Sequence, residues 1–100
     1  MDRFTPDKPI DDLSADIALL RRAIDEIDEI IMGLINRRLL LAAQIGALKK
    51  QSGIQVADSI REEEIMRRLG KKNKGPLNEE GLRTIFSVII AEGRHVQQTG

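Results

Sequence analysis

The chain has 100 residues; 41% are hydrophobic, but only Phe4 and Phe86 are aromatic. Sixteen Lys and Arg residues balance 16 Asp and Glu residues, which gives a formal net charge of zero. This length supports one domain with an aliphatic core, and the balanced charge argues against a protein that binds a phosphate backbone. The lack of Cys excludes disulfides and thiolate metal sites, and the single His cannot form a His-based metal site alone.

Residues 1–13 are predicted to form a flexible N-terminal arm, because they are rich in charge and contain two of the three prolines. No apolar segment typical of a signal peptide opens the sequence, and no uninterrupted apolar run approaches the ~18 residues of a membrane span. The cytoplasm is therefore the expected compartment. Residues 14–100 are predicted to form one all-helical domain.

A long first helix is predicted over residues 14–51, because apolar residues recur there with a 3–4 spacing. Gly53 is expected to end it. Nine of the ten spaced positions hold Ile or Leu, and the tenth holds Arg38. We call this set the seam: Ile17, Leu20, Ile24, Ile27, Ile31, Leu34, Arg38, Leu41, Ile45 and Leu48.

The length of this helix predicts a second chain. About 35 residues extend ~50 Å, whereas a compact domain of this size has a radius of gyration of only ~13 Å. A straight helix of that length would leave the seam bare. The simplest cover for it is a second copy of the chain lying against it.

Two shorter helices are predicted over residues 59–72 and 78–98, separated by a break at Gly75-Pro76. The second helix is highly charged. The third begins at Asn78 and carries an inward face with helical spacing, formed by Leu82, Ile85, Phe86, Ile89, Ile90, Gly93 and Gln97.

Arg38 and Lys49 are the first candidate site residues. A buried, unpaired guanidinium is costly, so Arg38 must meet an anion, which is either a ligand or a polar partner that sets the register of a coiled coil. Lys49 follows 11 residues later, ~20° away in direction and ~16 Å along the axis, so the two long side chains can converge on one anion. A solvated lysine near the helix end is the alternative for Lys49.

Arg21 precedes Lys49 by 28 residues, or ~42 Å along the same helix. It cannot share a small ligand with Lys49 of its own chain. Either it forms an ordinary surface pair with Asp25, or it acts in the site of a partner chain.

Asp58, Arg61 and Glu62 lie on one face at the start of the second helix. An Asp and a Glu four residues apart can both accept from one hydroxyl, while Arg61 binds a carboxylate. The alternative for these residues is helix capping and a surface charge cluster.

Gln97 faces inward four residues after Gly93, which leaves room beside it. Its amide can donate a hydrogen bond without adding charge, although a frayed polar terminus is the alternative.

In this order and spacing, these residues resemble the all-helical class of chorismate mutase. The resemblance covers roughly residues 17–98. It rests on Leu20-Arg21-x-x-Ile24-x-x-Ile27-Asp28, Arg37-Arg38, Ile45-Gly46-x-x-Lys49, Asp58-x-x-Arg61-Glu62 and the late Gln97. Asn73-Lys74-Gly75-Pro76 also looks like mutase domains fused ahead of a 3-deoxy-heptulosonate-phosphate synthase. Association with another enzyme of the shikimate pathway is therefore a further expectation.

The resemblance implies an intertwined helical homodimer with two identical sites and no cofactor or metal. Its reaction is the Claisen rearrangement of chorismate to prephenate, which leads to phenylalanine and tyrosine. By this resemblance, Arg38, Arg61 and the partner's Arg21 bind the two carboxylates of the substrate. Lys49 and Gln97 donate hydrogen bonds to the ether oxygen. Glu62, with Asp58, binds the ring hydroxyl. Gly93 is a departure, since a relative can carry Ser there, and only its backbone N–H could replace that contact.

Three other interpretations remain open at this point. Isochorismate-pyruvate lyase resembles the same fold and uses similar cations. A non-catalytic helical dimerisation or regulatory module would explain the seam, but neither its interruption by Arg38 nor an inward Gln97. A nucleic-acid site among the basic residues between Arg67 and Lys74 is weaker, because the acidic residues at positions 62–64 offset that charge.

Overall fold

The computed structural model describes residues 10–53 and 59–99, with side chains described for residues 12–53 and 59–98. Within this part of the chain, three helices and no strand are present: α1 (Ile10–Ser52), α2 (Ser59–Lys72) and α3 (Glu79–Thr99). The prediction of an all-α chain with one long and two shorter helices is confirmed.

The first helix is longer than its predicted range at both ends. α1 begins at Ile10 rather than residue 14, because no Pro or Gly interrupts the sequence between Ile10 and Gly33. Four residues assigned to the arm therefore belong to the helix, and the other nine lie outside the described residues. The helix ends at Ser52, where Gly53 takes a positive φ of 73° that favours glycine.

The chain divides into two units, one ending at Leu34 and the other beginning at Ile35. The first unit contains the N-terminal part of α1. The second contains the rest of α1, together with α2 and α3. Taken over both units, all nine Ile and Leu side chains of the seam are 42–63% exposed in the single chain.

By length and composition, α1 also passes a test for a membrane-spanning helix. An 18-residue window within Asp12–Ser52 reaches a mean hydropathy of 1.3 and is 11% buried. A mean hydropathy does not show where charges lie, and Arg37 and Arg38 lie in the middle of the helix. Charged side chains are costly at the centre of a bilayer. Helices that pack against protein pass the same test of length and hydropathy.

The aliphatic core of the second unit lies between α2 and α3. Ile65 and Met66 of α2 are buried against Leu82 and Ile90 of α3, and Leu69 and Phe86 pack around them as partly buried residues. Burial of these side chains away from water is the main force that holds the two helices together.

The connection between α2 and α3 is fixed by side-chain amides. The Asn73 side chain donates to Leu77 O at 2.7 Å and accepts from Gly75 N at 2.9 Å, on either side of a cis Gly75–Pro76 peptide. Asn78 then caps α3, because its Oδ1 accepts from Gly81 N at 2.7 Å. The predicted start of the third helix at Asn78 is thus confirmed as its cap.

Candidate active site

A cavity of about 670 Å³ lies within the second unit and is lined by residues of all three helices. Its size suits a small organic ligand. Six of the eight predicted site residues line it: Arg38, Lys49, Arg61, Glu62, Gly93 and Gln97.

The two remaining predicted site residues are not among the lining residues. Arg21 is exposed and belongs to the first unit. Asp58 lies outside the described residues.

Arg38 lies on the half-buried side of α1, next to Gly93 of α3. A Cβ built on Gly93 would stand 3.4 Å from Nη1 of Arg38 and 3.7 Å from Cβ of Ala42. Both distances are in the range of ordinary van der Waals contact, so a single added carbon at position 93 would touch the Arg38 side chain without displacing it. Arg38 therefore packs closely against α3 at this glycine.

Lys49 and Gln97 meet at the part of the cavity formed by the last turns of α1 and α3. Lys49 Nζ donates to Gln97 Oε1 at 3.3 Å, and both residues are partly buried. This contact joins residues 48 positions apart. With the carbonyl oxygen engaged, the NH₂ of the Gln97 amide is the end that can donate to a ligand, and the ammonium of Lys49 lies beside it.

Gly46 allows this meeting. A Cβ at position 46 would lie 2.8 Å from Cα of Gln97 and 2.9 Å from its backbone oxygen, closer than real Cβ atoms approach. α1 and α3 therefore touch backbone to backbone at this point. The glycine sets the position of Gln97 relative to Lys49, which is one turn further along α1.

On the α2 side of the cavity, the exposed Arg61 precedes the half-buried Glu62. Glu62 accepts a hydrogen bond from Nη1 of Arg94 on α3, and the two form an ion pair. Sequence analysis missed Arg94, although it stands four residues after Ile90 and three before Gln97. That 3–4 spacing along the inward face was the signal that could have found it.

The lining contains four cationic side chains, from Arg38, Lys49, Arg61 and Arg94. Two carboxylates, Glu62 and Glu64, oppose them, so the cavity has an excess of two positive charges. Guanidinium groups bind carboxylates with two parallel hydrogen bonds. The arrangement defines an all-helical, cation-lined site suited to a small dianion.

Residues 20–98 match the family model for chorismate mutase type II. The chain belongs to this family. It is 35% identical to a chorismate mutase of Methanocaldococcus jannaschii over 83 residues, which cover 82% of this chain and 84% of that protein.

Two further comparisons agree with this assignment. The structure is similar to that of a chorismate mutase from Thermus thermophilus, with a TM-score of 0.80, 30% identity, and coverage of 83% of this chain and 94% of the other. The chain is also 38% identical, over 72% of its length, to a bifunctional chorismate mutase/prephenate dehydratase of Neisseria gonorrhoeae. It spans only 19–23% of the length of that protein and of two other curated relatives that it matches.

Proposed function

We propose that the chain is a chorismate mutase, which rearranges chorismate to prephenate. In this reaction one ether C–O bond breaks and one C–C bond forms within the same molecule, with no group gained or lost. The observation that carries the proposal is the paired Lys49 and Gln97 in the cavity that Arg38 also lines. It supplies hydrogen-bond donors and positive charge where an ether oxygen would become negative.

The predicted site residues have roles that the family resemblance implies and that fit their chemistry. Arg38 and Arg61 bind the two carboxylates and hold the substrate in the folded conformation in which its reacting carbons meet. Lys49 and Gln97 donate to the ether oxygen as its charge grows, which lowers the barrier more than it stabilises the ground state. Glu62, with Asp58 as a second acceptor, binds the ring hydroxyl.

We further infer that the active form is an intertwined homodimer. The nine aliphatic side chains of the seam are all exposed in the single chain, and a second copy offers a matching surface. By the resemblance to the family, the partner's Arg21 would enter the site, and Arg21 is too far along its own helix to share a ligand with Lys49 of the same chain. It would add a third guanidinium for the two carboxylates.

We propose that a second protein chain, rather than lipid, covers the seam. The enzyme would then be soluble and cytoplasmic. Relatives that join a mutase to a prephenate dehydratase support an association with another enzyme of aromatic amino acid biosynthesis. Residues 14–100, together with the first turn of α1 from Ile10, would form the catalytic domain.

The test is to incubate the purified chain with chorismate, follow the loss of chorismate by ultraviolet absorbance, and identify the product. Prephenate as the product supports the proposal. Isochorismate should also be supplied, because salicylate plus pyruvate from it, without prephenate from chorismate, would identify a lyase instead. No turnover of either compound by a folded protein would favour a non-catalytic dimerisation module.

A further inference from the structure

Among the residues that the structure describes, the ion pairs Arg94–Glu62 and Arg83–Glu63 connect α3 to α2, and the first of them lines the cavity. Arg94 donates to Oε2 of Glu62, with the side chains 51% and 33% exposed, and both residues line the cavity. Arg83 donates to Oε1 of Glu63 at 3.3 Å, with side chains 47% and 60% exposed, and neither residue is a lining residue. The two pairs have the same chemistry and similar exposure of their arginines, and Arg83 also forms an ion pair with Glu79 of its own helix at 3.8 Å. Arg83 is therefore a control arginine on the same helix that lies outside the cavity.

Glu62 has to meet two conflicting demands if it is to bind a hydroxyl of a dianion. Its carboxylate must stay in the cavity, yet it stands near bound carboxylates of the same charge. It also has three other cations within the same lining, Arg38, Lys49 and Arg61, towards which a flexible glutamate can turn. An unrestrained Glu62 would lose rotamer freedom on accepting the hydroxyl, which weakens the contact.

Arg94 meets both demands. Its guanidinium holds one oxygen of the carboxylate, Oε2, and a carboxylate has acceptor capacity left on its other oxygen. The positive charge also offsets the repulsion between Glu62 and the carboxylates of the ligand. With its side chain half exposed, Arg94 can keep this hold without the full cost of burying an ion pair.

We propose that Arg94 is a positioning residue, which holds Glu62 in the orientation that accepts a hydrogen bond from the ring hydroxyl of the substrate. The site therefore prefers ring dianions that carry this hydroxyl over those that lack it. This inference rests on the proposed function and adds to it that the Arg94–Glu62 pair determines substrate preference.

The experiment compares Arg94→Ala with the matched control Arg83→Ala in steady-state kinetics. We expect Arg94→Ala to lower kcat/KM for chorismate about tenfold, within the range of coupling between residues of one polar network. The loss should appear mostly in KM, because Glu62 holds the hydroxyl in both the bound substrate and the transition state. Arg83→Ala should keep wild-type kinetics, and Arg94→Lys should recover part of the loss.

Two further readouts separate positioning from direct contact. In a Glu62→Ala background, adding Arg94→Ala should cost less than about twofold, because nothing is left to position. The preference for chorismate over an analogue without the ring hydroxyl should fall in Arg94→Ala and stay unchanged in Arg83→Ala. Thermal unfolding should show a similar, small effect of both arginine variants.

Several outcomes would overturn the inference. An equal loss from Arg94→Ala with and without Glu62 would mean that Arg94 binds the substrate itself. Wild-type kinetics in Arg94→Ala, or the same loss in Arg83→Ala, would reduce the pair to an ordinary surface contact while leaving the mutase proposal intact. A wild-type protein that does not convert chorismate would overturn both proposals.

Discussion

Gly46→Ala is the sharpest test of the geometry that joins Lys49 to Gln97. The new Cβ would lie 2.8 Å from Cα of Gln97, whereas ordinary contacts begin at about 3.4 Å. The opposing atoms are mostly backbone, so they cannot swing away as a side-chain tip would. The end of α3 must therefore move from α1 by about 0.6 Å, the difference between these two distances.

That displacement is enough to matter for the hydrogen bond and for turnover. The bond from Lys49 to Gln97 is already long at 3.3 Å, so a shift of this size away from α1 breaks it. Overpacking a close contact costs about 1–3 kcal/mol, and the better helix propensity of Ala returns roughly 1 kcal/mol of this. We expect a net loss of roughly 1 kcal/mol in stability, and a loss of about tenfold or more in kcat, since a 1 Å misplacement can cost 10²-fold.

Gly70→Ala is the matched control, because Gly70 is a helical glycine of α2 with nothing within 4 Å of its added Cβ. It should keep wild-type turnover and gain slightly in stability from helix propensity. Both variants are measured by steady-state chorismate turnover and by thermal unfolding. If Gly46→Ala matched Gly70→Ala in both assays, the close approach of α1 and α3 would not position Gln97.

Three further predictions concern assembly and the cations. The protein should be a dimer whose dissociation is coupled to unfolding; sedimentation that finds a folded monomer at micromolar concentration contradicts this. Arg21→Ala and Arg38→Ala should each be nearly inactive, yet equal amounts refolded together should recover up to about a quarter of wild-type activity, since half of the dimers would be mixed and each would hold one intact site. A mixture as inactive as the single variants would mean that Arg21 does not act in the partner's site. Lys49→Ala should lose at least about 10²–10³ in turnover while remaining folded by circular dichroism, and near-normal turnover would return Lys49 to the role of a surface lysine.

Periodicity was enough to predict the helices, because a 3–4 spacing leaves few alternatives to a helix. The seam predicted α1, and Gly53 predicted its end. The start was misplaced, because charge and proline content predict an arm over residues 1–13, whereas α1 begins at Ile10, directly after the proline at position 9. Of the predicted inner face of α3, Leu82 and Ile90 are buried in the single chain, whereas Ile85 is 48% exposed there.

The candidate site was harder to predict where it depends on contacts between distant residues. Arg38 stood out because it interrupts an aliphatic seam, and such a break is visible in one sequence. Arg94 did not stand out, because an arginine near the end of a helix is common. Its role appears only in the structure, where it contacts Glu62, 32 residues earlier in the sequence. The role of Gly46 likewise appears only when the backbone of Gln97 is placed against it.

Gln97→Glu tests whether this residue donates to the reacting oxygen. The substitution nearly preserves shape, but an isolated glutamate carboxyl titrates at about pH 4.3 and is ionised at neutral pH. Ionised, it has no hydrogen to donate, and its charge opposes the negative charge that forms on the ether oxygen. Protonated, it can donate much as the amide does.

The sign of the pH dependence follows from this difference. Partial burial raises the pKa of the introduced carboxyl, and the Lys49 ammonium, which lies 3.3 Å from Oε1 of the native amide, lowers it. Whichever effect is larger, activity of Gln97→Glu should be impaired at neutral pH and should rise as the pH falls through that pKa, because only the protonated form donates. The wild type should show no matching rise, since its amide donates throughout the range. Circular dichroism at each pH must show that both proteins stay folded. Parallel pH–rate profiles would mean that Gln97 does not donate to the ether oxygen, and its contact with Lys49 would then serve only to hold α3 against α1.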